Sequence, residues 1–376
     1  MKLLILLLTL SIPFIYQAQT GTLTTESFTF DSQTREYLLY VPDTYDGQTD
    51  VPLVLNLHGY TSNMTQQLNY GEFRKIADTA NFILVVPNGL NDNSGNQHWN
   101  YYQPNGVDDL GFLSALIDTM TTNYSINSNR VYTTGMSNGG FMSIALGCQL
   151  SSKIAAVASV TGTMITGQAS SCLPIHPVPT MLIHGTNDPT VPYAGNATFK
   201  SVEETVQFWV DQTGSDNTPV VNSVQDVNTS DGCTAEHYVY ENGDYGSSVE
   251  HYKIIGGGHT WPGAAFNNGV TNQDFDASTQ IWRFFSQYDK EQLLAVSEEE
   301  MKQPTVHVYP NPTPDKVQVS TDKIIQQITV YDAVGKQVYQ AQPQQNQAII
   351  HDLESGMYTV QIELGNGVVN RKVIIE

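Results

Sequence analysis

Arg130-Val-Tyr-Thr-Thr-Gly-Met-Ser-Asn-Gly-Gly-Phe141 is the stretch that decides how this chain reads. Arg130 to Thr134 has the composition of a buried strand, and Phe141 to Cys148 is small and apolar enough for a packed helix. Between them, Gly135-Met-Ser-Asn-Gly139 leaves no room for a loop. Strand, Gly-x-Ser-x-Gly, helix is the arrangement of a nucleophile elbow. The glycines matter because a Cβ on either would collide with the neighbouring strand or helix. The turn then holds the Ser137 hydroxyl clear of the sheet, above a helix N-terminus.

Serine is a weak nucleophile and needs a base within hydrogen-bond reach, itself oriented by a third group. Downstream, Thr180-Met-Leu-Ile-His-Gly-Thr-Asn-Asp188 is a strand opening into a loop that carries an acid. His251-Tyr-Lys-Ile-Ile-Gly-Gly-Gly-His259 is another strand, ending in a glycine loop that carries an imidazole. Ser137, Asp188 and His259 thus follow the order Ser, acid, His used by α/β-hydrolases. Asn187 cannot hold a charge, His184 lies inside its strand as a core histidine, and His237 and His251 lie before or within a strand. An oxyanion needs two backbone donors. The expected pair is the amide of Asn138, just after the serine, and that of Tyr60, in the loop after Leu55-Asn-Leu-His58-Gly59. Aromatics crowd the same loops, at Tyr60, Trp99, Tyr101, Tyr102 and Trp261. Trp261, Trp99 and His58 are the candidates for contact with a substrate, whereas Asp108-Asp109 reads as a helix cap.

Outward from the elbow, buried strands are expected at Tyr37–Val41, Pro52–Leu57, Phe82–Val86, Ile154–Val160, Thr180–Ile183 and His251–Ile255. Helical spacing separates several of them, placing Phe112, Leu113, Leu116, Ile117 and Met120 on one face. Alternation of this kind predicts an α/β fold, a mostly parallel sheet with helices on both faces. After Tyr288 the pattern changes. Residues 289–304 read as a helix end and linker, and 305–376 hold seven short alternating runs between turns, His307–Tyr309, Val317–Ser320, Ile328–Tyr331, Gln337–Tyr339, Ile349–His351, Tyr358–Ile362 and Val369–Ile375, the signature of a small all-β sandwich.

The chain of 376 residues carries 16 Lys plus Arg against 37 Asp plus Glu, a formal charge of −21. So acidic a surface repels nucleic acid and anionic membranes. Met1-Lys2, the apolar run to Ile15 and a small polar exit read as a signal peptide over residues 1–18. The run is shorter than the ~20 residues a bilayer requires, and no later segment reads as a membrane span. Of the three cysteines, Cys148 and Cys172 lie within one domain, where an oxidising compartment would allow a bridge, with Cys233 left over. No zinc pattern occurs, and Asn91-Asp-Asn-Ser-Gly-Asn96 lacks the Glu that closes a calcium loop, so neither metal nor cofactor is expected.

Gly-Met-Ser-Asn-Gly-Gly, His-Gly-Thr-Asn-Asp with Val-Pro-Tyr after it, and Gly-Gly-Gly-His-Thr-Trp-Pro-Gly together resemble the esterase/polyhydroxybutyrate-depolymerase family. That family overlaps carbohydrate esterase family one, the feruloyl and acetylxylan esterases. The resemblance implies an esterase domain over residues 19–288. It departs where members often carry paired cysteines between acid and His, since Cys233 stands there alone. In the tail, Val308-Tyr-Pro-Asn-Pro312, Gly356-Met-Tyr-Thr-Val-Gln-Ile362 and Lys372-Val-Ile-Ile-Glu376 resemble the type A sorting domain of the type IX secretion system found in Bacteroidetes. The expectation is a secreted or surface-exposed serine ester hydrolase. Its partners are an ester, polymeric or small, and the type IX machinery. The rival readings are a non-catalytic polysaccharide-binding protein on a hydrolase scaffold and an amidase or peptidase of the same fold.

Overall fold

The computed structural model describes residues 21–102, 106–266, 269–294, 306–364 and 367–376. The expected signal peptide, 1–18, and the larger part of the expected linker, 295–304, lie outside the described residues. Two compact units divide the chain, Met1–Ala295 and Val296–Glu376.

The first unit opens with the hairpin β1 (Thr22–Phe30) and β2 (Gln33–Val41), followed by β3 (Val51–Leu57) and β4 (Ile83–Pro87). A two-strand ribbon follows, β5 (Leu90–Asn91) with β6 (Gln97–His98), and then β7 (Ile126–Met136), β8 (Ala156–Val160) and β9 (Thr180–Gly185). The last three strands are β10 (Val220–Ser223), β11 (Thr234–Tyr240) and β12 (Val249–Ile255). Ten of them form one sheet in the order β1-β2-β4-β3-β7-β8-β9-β12-β11-β10. From β4 to β12 every neighbour runs parallel, and each edge is finished by antiparallel strands. The expected α/β class is therefore found. The edges escaped the sequence reading because β1 and β10 are almost wholly exposed, and Thr-Leu-Thr-Thr-Glu-Ser carries no apolar alternation to announce a strand.

Alternation on the central strands builds two cores. Leu53, Leu55 and Leu57 face the layer of α3 (Asp109–Asn123), α4 (Asn138–Gln149) and α5 (Val202–Thr213). Val54 faces the opposite layer, with Phe73 beside α2 (Arg74–Ala80) and with Ile281 and Phe284 of α6 (Ala277–Phe285). Asp108 caps α3 by accepting from the Gly111 amide, while Asp109 pairs with buried Arg35 at 2.6 Å. Cys148, at the end of α4, is disulfide-bonded to Cys172, and Cys233 is free and buried.

The first unit continues beyond the expected end at Tyr288. A further helix, Lys290–Leu294, is held by Leu293 in the core and by Lys290, whose Nζ donates to the carbonyls of Ser128 and Ser152. In the second unit two expected strands fuse into one: β14 (Val317–Tyr331) covers both Val317–Ser320 and Ile328–Tyr331. Its first part pairs with β13 (Val306–Tyr309) and β16 (Gln345–Ile350), its last part with β15 (Gln337–Ala341) and β17 (Gly356–Leu364). The terminal strand β18 (Gly367–Ile375) pairs with β17. Register shifts within β14 let this one strand pair with four others in a single six-stranded sheet, over a core of Val319, Ile328, Val330, Val360, Ile362 and Val373.

Candidate active site

Ser137 joins the last residue of β7 to the first of α4, with φ 53° and ψ −116°. A positive φ is unfavourable for a residue with a Cβ, so its surroundings must impose it. The Ser137 amide donates to the Val160 carbonyl at 2.8 Å, and the Phe141 amide donates to the Ser137 carbonyl at 2.9 Å. A Cβ on Gly135 would lie 2.6 Å from the Leu57 carbonyl oxygen, and one on Gly139 would overlap that same oxygen. Strands β3 and β7 and helix α4 therefore meet at backbone distance. The serine between them lines a cavity of about 510 Å³.

His259 lines the same cavity, in the loop after β12. That loop and the one after β9 are sewn together by main-chain bonds. Thr186 N–H donates to Ile254, Asn187 N–H to Gly257, and the Gly256 amide to Thr186 Oγ1, all within 2.9 Å. A Cβ on Gly185 would overlap the Gly257 backbone, so the crossing demands glycine. Asp188 thereby comes under His259, whose Nδ1–H donates to Asp188 Oδ2 at 2.7 Å. Oδ1 accepts from the amides of Thr190 and Val191, at 2.8 and 2.9 Å. Burial alone would raise the Asp188 carboxyl, but donation from His184, His259 and Val191 outweighs it and holds the group well below the usual carboxylate range. With Nδ1 committed to the carboxylate, the basic nitrogen of His259 is Nε2.

Tyr60 lies on the opposite wall, half-exposed; its hydroxyl donates to Asp92 Oδ2 at 2.7 Å and accepts from Asn96 Nδ2 at 3.1 Å. The next amide, Thr61, is taken by the Gln97 carbonyl. Among the described residues the Tyr60 amide has no backbone acceptor, and Asn138 opens α4, where first-turn N–H groups lack intrahelical partners. A Cβ on Gly59 would be 3.6 Å from the Ser137 Cβ, which sets this turn directly beside the serine.

Two of the three expected substrate contacts, His58 and Trp261, are corrected, since neither lines a cavity at this site. His58 is buried; its Nε2 accepts from the Gly89 amide at 2.9 Å, its Nδ1–H donates to the Gly59 carbonyl, and burial pushes its pKa down to about 4. Its role is to hold the 58–61 turn. Trp99 is almost wholly buried, its Nε1 donating to the His58 carbonyl and its own amide and carbonyl held by the Asn138 side chain, and it borders a second cavity, on the Asn138 side. Trp261 is 1% exposed, with Nε1 donating to Ser278 Oγ and its ring edge-on to Phe73. Rings this large stabilise more by filling the layers beneath the loops than by standing in solvent.

Sequence reasoning missed the side chains that do line the cavity, namely Phe266, which is 63% exposed, with Tyr70, Gln66 and Asn69. They come from a loop tip and from the helix Met64–Tyr70, and no motif marks them. A second cavity of about 970 Å³ lies on the Asn138 side, bordered by Asp92, Asn93, Asn100, Tyr101, Tyr102 and Thr198.

Residues 35–189 match the family described as Esterase PHB depolymerase, and residues 307–376 the secretion system C-terminal sorting domain. A bifunctional acetylxylan esterase/xylanase of Neocallimastix patriciarum is 29% identical over 241 residues, which is 63% of this chain and 31% of that protein. Feruloyl esterase C of Emericella nidulans is 32% identical over 171 residues, 44% of this chain and 58% of that protein. The chain thus spans between about a third and three fifths of the length of these curated relatives. Among solved structures, an acetyl xylan esterase from Aspergillus awamori superposes with a TM-score of 0.52 at 15% identity, over 70% of this chain and 99% of that one. At that identity the likeness speaks for the fold, an α/β-hydrolase. The likeness to esterase PHB depolymerases thus extends over residues 35–189, and that to secretion system C-terminal sorting domains over 307–376.

Proposed function

We propose that this chain is a secreted serine carboxylic ester hydrolase that works through an acyl-enzyme. Ser137 Oγ attacks the ester carbonyl while His259 Nε2 takes its proton. The amides of Tyr60 and Asn138 receive the oxyanion. Collapse of the tetrahedral intermediate expels the alcohol with the proton from His259, and water then repeats the cycle on the acyl-serine. Asp188 keeps the imidazole in the Nδ1–H tautomer and stabilises the imidazolium. The 2.7 Å bond from His259 Nδ1 to Asp188, behind a cavity that His259 shares with strained Ser137, carries this reading.

The substrate class is acetylated or feruloylated polysaccharide. Curated relatives are named as acetylxylan and feruloyl esterases, and the larger cavity offers Asn, Asp, Thr and Tyr side chains, which suit hydroxyl-rich chains better than a bare polyester. The C-terminal unit directs export by the type IX route and takes no part in the chemistry. Purified protein should hydrolyse acetylated xylan and methyl ferulate, and a fluorophosphonate should label wild type but not Ser137→Ala. A protein that is not labelled is a binding module instead. Turnover of a polyhydroxybutyrate suspension in place of the xylan would reassign the substrate, and amide turnover matching ester turnover would reassign the reaction.

A further inference from the structure

Asp188 accepts from two imidazoles. His184 lies near the end of β9 with its side chain fully buried. Its Nε2 is 2.9 Å from the Val191 carbonyl and 3.3 Å from Asp188 Oδ2, the oxygen that His259 also holds. Both neighbours of Nε2 are acceptors only, so the proton sits on Nε2. Among the described residues the other nitrogen, Nδ1, has no partner. Buried His176 also leaves Nδ1 bare, but its Nε2 meets only the Ser151 and Ile154 carbonyls, whereas the Nε2 of His184 reaches a carboxylate. Here the ring leaves one nitrogen bare and turns the other to the acid. Around it, Tyr193 stands edge-on at 6.0 Å, and the Tyr193 hydroxyl meets His251 Nε2 at 2.9 Å.

We infer that His184 is a positioning residue: its Nε2–H, shared between Val191 and Asp188, completes the set of donors that locks the Asp188 carboxylate facing His259. With two amides on Oδ1 and two imidazoles on Oδ2, the carboxylate cannot swing about its Cβ–Cγ bond without losing several bonds at once. Removing His184 leaves a buried anionic lone pair open and the base free to tilt. The proposal rests on the triad reading above.

The test uses the full-length protein and p-nitrophenyl acetate. His184→Met, close in volume but without a donor, should lower kcat about 10- to 100-fold with KM within about twofold, since misplacement of a reacting group acts on the chemical step. His184→Gln, whose amide can reach the same oxygen, should restore most of that loss. In an Asp188→Asn background, His184→Met should cost less than about threefold, because what it positions is gone. Nitrogen-15 NMR of the unmodified protein should show His184 as the Nε2–H tautomer, a readout that survives if a variant fails to fold. An Nδ1–H tautomer overturns the proposal. So does a His184→Met protein that melts lower but turns over normally, a Gln variant no better than Met, or an undiminished loss in the Asp188→Asn background. Wild-type turnover by Asp188→Asn alone would instead strike the triad assignment, and this proposal with it.

Discussion

Trp261 and Phe266 stand in the same loop after β12, one 1% and the other 63% exposed. Up to Trp261 the loop is fixed from below: glycine crossings and main-chain bonds tie it to the acid loop, and the tryptophan is driven into the layer under it. At Phe266 the loop instead presents an exposed side chain that lines the cavity with Tyr70, Gln66 and Asn69. The first part places Asp188 and His259, and backbone geometry determines it almost completely. Around Phe266 no comparable constraint applies, and many residues would serve there. Positions of the first kind should fail through chemistry or folding, those of the second only through selectivity.

The largest effect should come from the stitched side. Ser137→Ala is expected to cut kcat by at least about 10⁴-fold while moving Tm little, since a turn serine buries little surface. A residue of activity above about one hundredth of wild type, measured on p-nitrophenyl acetate, would remove Ser137 from the mechanism. Next, Trp261→Ala should destabilise the unit by about 3–5 kcal/mol in urea, the usual consequence of deleting a buried aromatic. Normal stability with a lost preference for bulky esters would return Trp261 to the rim and erase the contrast.

The turn beneath Tyr60 offers a titration. His58 has its folded pKa pushed down to about 4 from 6.5, with burial as the largest cause, and the unfolded chain therefore takes up its proton first as the pH falls. Its stabilising contribution is complete above pH 6.5 and is lost as the pH drops towards 4, by about 1.4 kcal/mol per unit and about 3 kcal/mol in all. His58→Gln should flatten the pH dependence of urea unfolding in that window by about this slope. A slope unchanged by the substitution would mean His58 is not held neutral. The smallest effect belongs to the rim. Phe266→Ala should raise KM about three- to tenfold for methyl ferulate and leave p-nitrophenyl acetate and Tm alone, a loss of contact rather than of fold. Equal losses on both esters would place Phe266 on the chemical side of the loop.

What could be read in the sequence follows the same division. The elbow, the acid loop and the base loop were legible because each ends a strongly apolar strand and uses glycine where a chain crossing excludes a Cβ, as at Gly139 and Gly185. The central strands announced themselves by burial on both faces, whereas β1 and β10 do not, being exposed edges. The aromatics were misread for a physical reason. Trp261 and His58 lie near the site in sequence, but their partners, Ser278 and Gly89, are contributed by other segments. Only the folded chain shows that these rings are already engaged. In the tail, alternation located every strand but could not show that β14 runs unbroken from Val317 to Tyr331.

The bond from His259 to Asp188 closes a loop of 71 residues. It can exist only after β12 has docked beside β9, a parallel pairing with the whole of β10 and β11 lying between in sequence. Long-range parallel pairings are among the slow steps of folding, because chain entropy is lost before contacts repay it. Esterase activity regained on dilution from urea should therefore lag behind the return of helical signal and keep time with the last strand to dock. On the proposed mechanism, activity would serve as the clock of folding, and an incompletely folded chain, whatever compartment it is crossing, would have no assembled triad.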